Sequence, residues 1–248
     1  MPQVPRKRSE SEIYHVFSRG VGGHILFEDD EDKQRFLTLL QAAVKEYGAE
    51  LYAYCLMGNH FHVLIKKELE QLSQLIGVFQ GRYAKYFNAR HERFGHLFQG
   101  RFGSKPVVSD EQLMTVVRYI HLNPAEDGLS DSCEYPWSSY AEYLGMSKLV
   151  STDFVLGIFG GTERFASFHE HGLLAIKDGA GIGDGGSIED IEAVKQIKQA
   201  LGDDVLARAN TADREERDSL LRDMKRLGYG NSRIARITGL GISIVRRA

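Results

Sequence analysis

The sequence predicts an α+β protein: a ferredoxin-like antiparallel sheet with helices on one face, followed by an all-helical C-terminal extension. The first half of the chain has the patterns of a strand, a helix, a hairpin, a helix, a strand and a helix, in that order. This is close to the element order of a ferredoxin-like sandwich. Residues 188–248 have only helical patterns and follow a glycine-rich stretch, which predicts a separate helical region with a helix-turn-helix-like end.

The first three strands and the first helix follow from composition and spacing. Residues 13–17 are β-branched and aromatic, which predicts a strand. Residues 32–47 have apolar side chains at helical spacing and end before a glycine, which predicts a helix. Two further strands, 51–57 and 60–65, flank the turn signal Gly58-Asn59 and are predicted to form a tight hairpin.

The remaining elements of the sheet region are less regular. Helical spacing extends over 69–88, a loop-like stretch follows, and residues 105–108 are predicted as the fourth strand. Asp110 is the expected N-cap of the next helix. That helix should stop near Asn123-Pro124, because a residue that precedes a proline disfavours the helical region.

The chain is expected to contain four segments. Residues 8–145 form the core, 146–176 a helical extension, 177–187 a linker with five glycines, and 188–248 the C-terminal helical region. Glycine density of this kind is typical of a flexible linker. The end of the chain has the pattern of two short helices around a turn, which indicates a helix-turn-helix module or an ordinary helical hairpin.

Composition excludes several classes of protein. The chain has 248 residues, of which 42% are hydrophobic and 26% charged, as in ordinary globular proteins. No apolar run approaches the roughly 18 residues of a membrane span, and the basic N-terminus has no apolar segment behind it, as a secretory signal would. With two cysteines there is no disulfide framework. We therefore expect a cytoplasmic protein without a membrane partner.

Charge is sorted along the chain although the net charge is only -3. Residues 76–108 contain six basic side chains against Glu92 alone, and residues 221–248 contain seven against Asp223. Aromatic residues are interleaved with the cations of the first block, a mixture that suits single-stranded nucleic acid. The blocks indicate a polyanionic partner, or else solvated helix faces.

Two pairs of polar residues are candidates for chemistry. His60 and His62 share one face of a strand, about 7 Å apart at the roughly 3.3 Å rise per residue, so both imidazoles can reach one divalent cation. Tyr119 and Asn123 are four residues apart and share a helix face. The alternatives are half-exposed strand histidines, a core tyrosine and a helix-end amide. His121 points away from that face and is expected to be structural or to contact substrate.

Four motifs in sequence order carry a resemblance to a known family. They are Cys55-Leu56-Met57-Gly58-Asn59-His60-Phe61-His62-Val63-Leu64, Gly95-His96-Leu97-Phe98-Gln99-Gly100-Arg101-Phe102, Arg118-Tyr119-Ile120-His121-Leu122-Asn123-Pro124 and Pro136-Trp137-Ser138-Ser139-Tyr140. Residues 8–145 thereby resemble the REP-associated tyrosine transposases, which are HUH single-strand transposases related to the insertion-sequence 200 group. Gly58 stands where the family usually has proline, which could loosen the hairpin.

The resemblance implies a divalent metal, Mg²⁺ or Mn²⁺, on His60 and His62, with Tyr119 as the nucleophile that forms a 5′-phosphotyrosine. Asn123 is the candidate third ligand by its position. The expected partner is single-stranded DNA, with hairpin-forming repeats as substrate, and the protein is expected to associate with the nucleoid as a monomer or homodimer. A non-catalytic DNA-binding regulator and a phosphodiesterase without a covalent step are the alternatives.

Two sets of residues are the candidate DNA contacts. Gln99 and Arg101 lie in the second motif. The C-terminal region offers a possible duplex-binding surface, whose candidate residues are Arg233, Arg236, Arg246 and Arg247.

Overall fold

The chain divides into two compact units. The computed structural model describes residues 6–130, 133, 135–146, 149–177, 188–238, 240 and 242–248. One unit contains the described residues up to Pro124 and those in the range 132–168. The other unit contains the described residues in the range 125–131 and those from His169 onward. The predicted segment boundaries at 145 and 176 stay predictions, and residues 178–187 of the predicted linker lie outside the described residues.

Strands and helices follow the expected order. The strands are β1 (Ile13–Arg19), β2 (Glu50–Leu56), β3 (His60–Lys66) and β4 (Gly103–Pro106). The helices up to the glycine-rich stretch are α1 (Asp30–Tyr47), α2 (Leu69–Arg90), α3 (Asp110–Glu126), α4 (Tyr140–Tyr143), α5 (Thr152–Phe159) and α6 (Thr162–Lys177). The helices after it are α7 (Ile188–Leu201), α8 (Val205–Thr211), α9 (Arg214–Arg226), α10 (Asn231–Thr238) and α11 (Ile242–Arg247).

The sheet has the strand order β2-β3-β1-β4, and every adjacent pair is antiparallel. With α1 between β1 and β2 and α2 between β3 and β4, this is the ferredoxin-like arrangement, so the predicted fold class is confirmed. The central pair places Phe17 opposite His62 and Arg19 opposite His60. Directly opposed residues share a face of the sheet, and this register therefore decides which side chains surround the histidines.

The two faces of the sheet have different partners. Phe61 lies on the face covered by α1 and α2, where its ring is 4.9 Å from that of Phe36, which is 4.6 Å from Phe79. The histidine-bearing face is covered by α3, whose Tyr119 ring lies 5.5 Å from that of His62. The predicted packing of helices on one face of the sheet therefore holds for α1 and α2. Helix α3 packs on the opposite face.

Two predicted element boundaries are wrong. The fourth strand is Gly103–Pro106 and not 105–108, because pairing with β1 selects it: Gly103 lies opposite Phe17, whereas Val108 is 67% exposed. Helix α3 does not stop at Asn123 but continues through Pro124 to Glu126. Burial of Pro124 shows that packing overrides the local preference of the residue before a proline.

The C-terminal helices have a core of their own. Helices α7 to α11 pack through a continuous cluster of buried apolar side chains: Val194, Ile197, Val205, Leu206, Ala209, Leu220, Leu221, Met224, Ile234, Ile237 and Val245. Helices α10 and α11 lie where the sequence predicts the two short helices, and the helix-turn-helix assignment itself stays a prediction. In the part of the chain that is described, every helix is too short or too polar to span a membrane.

An ionic cluster joins the N-terminus of α1 to the C-terminus of α2. Arg90 donates to both carboxylate oxygens of Asp29 at 2.8 Å and to Asp32 at 2.6 Å. Asp32 is fully buried and also contacts His91 Nε2 at 2.9 Å. Burial raises the pKa of the Asp32 carboxyl, but the Glu28 backbone N–H and the Arg90 and His91 side chains outweigh that effect, and the net pKa is lowered.

We expect Asp32→Asn to lower the free energy of unfolding by about 2 kcal/mol at neutral pH, because hydrogen bonds of a buried carboxylate to charged partners are lost. The folded pKa of Asp32 is lowered, so its stabilisation is present above the unfolded pKa of about 3.9 and is lost as the pH falls towards the folded value. The difference between variant and wild type should therefore narrow below about pH 4. Urea unfolding at several pH values measures it.

The matched control is Asp30→Asn in the same helical turn. Asp30 forms an exposed ion pair with Lys33, and such pairs contribute about 0–1 kcal/mol. Equal effects of the two substitutions would show that the cluster adds nothing beyond the helix dipole.

Candidate active site

Backbone hydrogen bonds from residues outside the hairpin fix the turn between β2 and β3. Leu26 donates its backbone N–H to Gly58 O at 2.8 Å, and Gly20 donates to Asn59 O at 2.9 Å. Met57 N donates to His60 O at 2.9 Å across the hairpin. The glycine at position 58 therefore does not leave the entrance of β3 loose, and His60 starts the strand in a fixed position.

His60 lies between two amide side chains. Its Nδ1 is 2.7 Å from Asn59 Oδ1, and its Nε2 is 3.1 Å from Asn123 Oδ1. A neutral imidazole has one N–H and can donate to only one of the two oxygens. With the proton on Nδ1, the His60 Nε2 and Asn123 Oδ1 atoms are two lone-pair donors that face each other.

His62 is buried and is hydrogen-bonded to a third histidine. It is 5% exposed, and its Nδ1 lies 2.9 Å from Nε2 of His15 on β1. Its Nε2 is buried and, among the described residues, has no hydrogen-bonding partner. A buried polar atom without a partner is costly in a folded protein, and this one belongs to a good metal ligand.

Helix α3 brings the predicted tyrosine and asparagine to the histidines. The Tyr119 ring lies 5.5 Å from that of His62 and 5.7 Å from that of His15, edge to face in both cases. Asn123, one turn further along α3, contacts His60. Tyr119 is 6% exposed, as a core tyrosine would also be, but its ring neighbours include two imidazoles.

The site holds neutral histidines beside a lysine. Burial, followed by the charge of Lys105, lowers the pKa of His15 to about 3. Burial, the two neighbouring histidines and Lys105 together lower the pKa of His62 well below its ordinary value. Lys105 lies on β4 opposite His15. The two buried imidazoles are therefore unprotonated at neutral pH and able to donate lone pairs, in a positive electrostatic field.

The residues present fit a divalent cation. The buried unpartnered His62 Nε2 and the facing pair of His60 Nε2 and Asn123 Oδ1 supply two imidazole nitrogens and one amide oxygen. The described residues contain no group of three or more His, Cys, Asp or Glu side chains that could hold a metal. A cation at this site would therefore have a His₂Asn ligand set, with water or substrate in its remaining positions.

The other predicted site residues lie elsewhere. The side chains of Gln99 and Arg101 are exposed in the loop before β4, and Gln99 N donates to Arg19 O at 2.8 Å, which ties that loop to the end of β1. His121 Nε2 lies 2.8 Å from Ser139 Oγ, and both residues are buried. Of the two roles considered for His121, this burial fits the structural one and not substrate contact.

The C-terminal candidates belong to the other compact unit. Arg246 and Arg247 are exposed, and Arg233 is partly exposed. Arg236 lies in α10, and its side chain is outside the described part of the structure.

The sequence did not single out His15, Lys105 or the Asn59 side chain as site residues. Each lies next to a predicted residue only through strand pairing or the hairpin turn. The alternation of β1 does place His15 and Phe17 on one face, but which face of β1 meets His62 depends on the register. That register was the missing signal.

Comparison with known proteins shows which family this part of the chain is similar to. The family described as Transposase IS200 like matches residues 11–123, which include the sheet, His60, His62, Tyr119 and Asn123. The match covers less than half of the chain and includes the first two of the four motifs and the third up to Asn123. The predicted resemblance to this family is therefore confirmed for residues 11–123.

A solved structure supports the same fold. The structure of a REP-associated tyrosine transposase bound to a REP hairpin superposes with a TM-score of 0.50 at 14% sequence identity, covering 62% of this chain and 93% of that one. At this identity the likeness concerns the fold. No curated protein matches the sequence.

Proposed function

We propose that the protein cleaves and rejoins single-stranded DNA at hairpin-forming repeats, with Tyr119 as the nucleophile. The observation that supports this most directly is the convergence of Tyr119 and Asn123 from α3 on His15, His60 and His62 from the sheet. The similarity of residues 11–123 to the IS200-like transposases supports DNA as the substrate. The choice of a hairpin follows the fold neighbour, which holds one.

In the proposed reaction the Tyr119 oxygen attacks the phosphorus of one phosphodiester. A new O–P bond forms as the bond to the 3′-oxygen breaks, which leaves a 5′-phosphotyrosine and a free 3′-hydroxyl. The covalent link conserves the energy of the broken bond, so a second strand end can be joined without ATP. Tyrosine has a pKa near 10 when unperturbed, so the hydroxyl proton must leave Tyr119 as the O–P bond forms, while the departing 3′-oxygen gains a proton.

His60, His62 and Asn123 are the proposed ligands of Mg²⁺ or Mn²⁺. Such a cation, when bound, neutralises charge on the non-bridging oxygens of the scissile phosphate. The protein contributes the fixed positions of its ligands. Asn59 fixes the ring of His60, and burial keeps His62 unprotonated.

We expect Tyr119→Phe to abolish the covalent DNA adduct while leaving fold and DNA binding intact, because only the hydroxyl is lost. His60→Ala, His62→Ala and treatment of the wild type with EDTA should each suppress adduct formation. Denaturing gels of a labelled single-stranded hairpin oligonucleotide measure the adduct.

The control is Tyr83→Phe, since Tyr83 is buried and its hydroxyl donates to Leu26 O at 2.6 Å. An adduct at the wild-type level in Tyr119→Phe would move the nucleophile elsewhere. Cleavage without any adduct would favour a phosphodiesterase, and binding without cleavage would favour a regulator.

Phe94 is the aromatic residue of the basic block best placed for DNA. Tyr83, Phe87 and Phe102 are buried, whereas Phe94 is 95% exposed. Its loop is nevertheless ordered by hydrogen bonds, from Arg93 N to Asn88 O and from Asn88 Nδ2 to Gly95 O, both at 2.9 Å. An exposed apolar ring on a hydrogen-bonded loop beside cations is suited to stacking on an unpaired base.

We expect Phe94→Ala to weaken binding of a single-stranded oligonucleotide about tenfold, because one stacked base contributes about 1–3 kcal/mol. Phe94→Trp should bind at least as tightly as the wild type, since it keeps an aromatic face. Fluorescence anisotropy in the Tyr119→Phe background measures binding without cleavage.

Met146→Ala provides the control for loss of an exposed apolar side chain, because Met146 is 66% exposed and lies outside the basic block 76–108. If Phe94→Ala and Met146→Ala both bind like the wild type, base stacking at Phe94 is excluded.

The C-terminal region is our proposed duplex-binding surface. A cleft in this unit is lined by Arg214, Arg217, Asp218, Ile244 and Arg247, so three guanidinium groups face one carboxylate. Arg246, which is exposed, precedes the cleft residue Arg247 in the sequence. An excess of arginine in a concave surface suits phosphate groups of the DNA backbone.

We expect the double substitution Arg246→Ala and Arg247→Ala to weaken duplex binding and to leave cleavage of a single-stranded hairpin unchanged. The plot of log affinity against log salt concentration has a negative slope. Each lost phosphate contact should make that slope shallower by about 0.9. The measurement is a salt titration with a duplex oligonucleotide. Arg222→Ala, an exposed arginine of α9 outside the cleft, is the control, and an unchanged slope in the double variant would refute the contact.

A further inference from the structure

We propose that His15 selects the tautomer of His62 and thereby gives the site its buried metal-ligating nitrogen. His15 is then a positioning residue: it acts through His62. The inference rests on the proposed metal site, and it adds a residue from a strand that carries none of the proposed ligands.

The contact between the two histidines is buried and specific. His15 Nε2 lies 2.9 Å from His62 Nδ1, and each residue is 5% exposed. The rings meet edge to edge, with centroids 5.1 Å apart and planes 29° apart. Strand pairing brings them together, because His62 lies opposite Phe17 and His15 lies two residues before Phe17 on the same face.

A neutral pair of histidines can share this hydrogen bond in two ways, since each ring carries one proton. In the first, His62 Nδ1–H donates to His15 Nε2, and His62 Nε2 keeps its lone pair. In the second, His15 Nε2–H donates to His62 Nδ1, and the proton of His62 is on Nε2. Only the first arrangement leaves His62 able to bind a metal through Nε2.

The surroundings of His62 Nε2 favour the first arrangement. That atom is buried and has no hydrogen-bonding partner among the described residues. In the second arrangement it would be a buried donor without an acceptor, which is unfavourable. In the first arrangement His62 Nε2 carries a lone pair and needs no acceptor. The His62 ring lies 5.1 Å from the ring of His60. Hydrogen bonds from the second nitrogen of a ligating histidine commonly fix its tautomer in this way.

Removal of the His15 Nε2 acceptor should allow both tautomers of His62. In His15→Phe a ring of similar size remains, but His62 Nδ1–H loses its partner, and the proton can move to Nε2. His15→Gln places an amide oxygen near the former Nε2 and restores an acceptor. Ser18→Ala is the matched control, since Ser18 is buried in the same strand on the opposite face and its Oγ has no partner among the described residues.

The first measurement is the ¹⁵N–¹H long-range spectrum of the histidine rings in metal-free full-length protein, with the signals of His62 assigned by their loss in His62→Gln. We expect the Nδ1–H tautomer of His62 in the wild type and in Ser18→Ala. A wild-type His62 with its proton on Nε2 would overturn the proposal. This readout needs neither DNA nor catalytic activity, and it decides the question even if His15→Phe fails to fold.

The second measurement is Mn²⁺ affinity by titration calorimetry. We expect His15→Phe to bind about 10- to 100-fold more weakly than the wild type, the usual effect of losing such a hydrogen bond, and His15→Gln to recover most of the affinity. Equal affinity of His15→Phe and wild type would overturn the proposal. If His60→Ala and His62→Ala also bind like the wild type, the proposed metal site itself fails, which separates the two outcomes.

Discussion

The antiparallel pairing of β1 with β3 is the constraint on which the site depends. It places Phe17 opposite His62 and Arg19 opposite His60, so one face of the central strands carries the histidines and the other carries Phe61. A slip of one residue would exchange these faces. The imidazoles would then meet the aromatic core under α1 and α2, and Phe61 would face α3. Register is therefore as much a functional property of this sheet as a structural one.

The site residues lie on elements that are held in place by different interactions. The histidines lie on central strands, where backbone hydrogen bonds on both sides restrict movement. Tyr119 and Asn123 lie on a helix whose position depends on side-chain packing against the sheet. In the proposed chemistry the sheet thus supplies neutral nitrogen donors, and a helix packed on that sheet supplies the tyrosine and the asparagine. Lys105 adds positive charge from the edge strand, where a cation remains accessible to a polyanion.

Local patterns predicted what depends on local geometry. The shared face of His60 and His62 and the shared face of Tyr119 and Asn123 follow from strand and helix periodicity. The position of β4 did not follow, because Gly103–Pro106 has little strand propensity of its own and forms a strand by pairing with β1. His15 was missed for a similar reason: its neighbour on β3 is far away in sequence, and its proposed role depends on register and on a tautomer.

Gly103 has a consequence for how the sequence can change. A Cβ atom built there would lie 2.4 Å from the ring of Phe17, which is closer than any real contact, and the Phe17 ring in turn lies 6.1 Å from that of His62. Any side chain at position 103 would therefore have to displace the Phe17 ring, on the strand that lies between this edge strand and the one that carries His62. Sterics transmitted through one ring thus limit mutational tolerance at a position that is not itself among the proposed site residues.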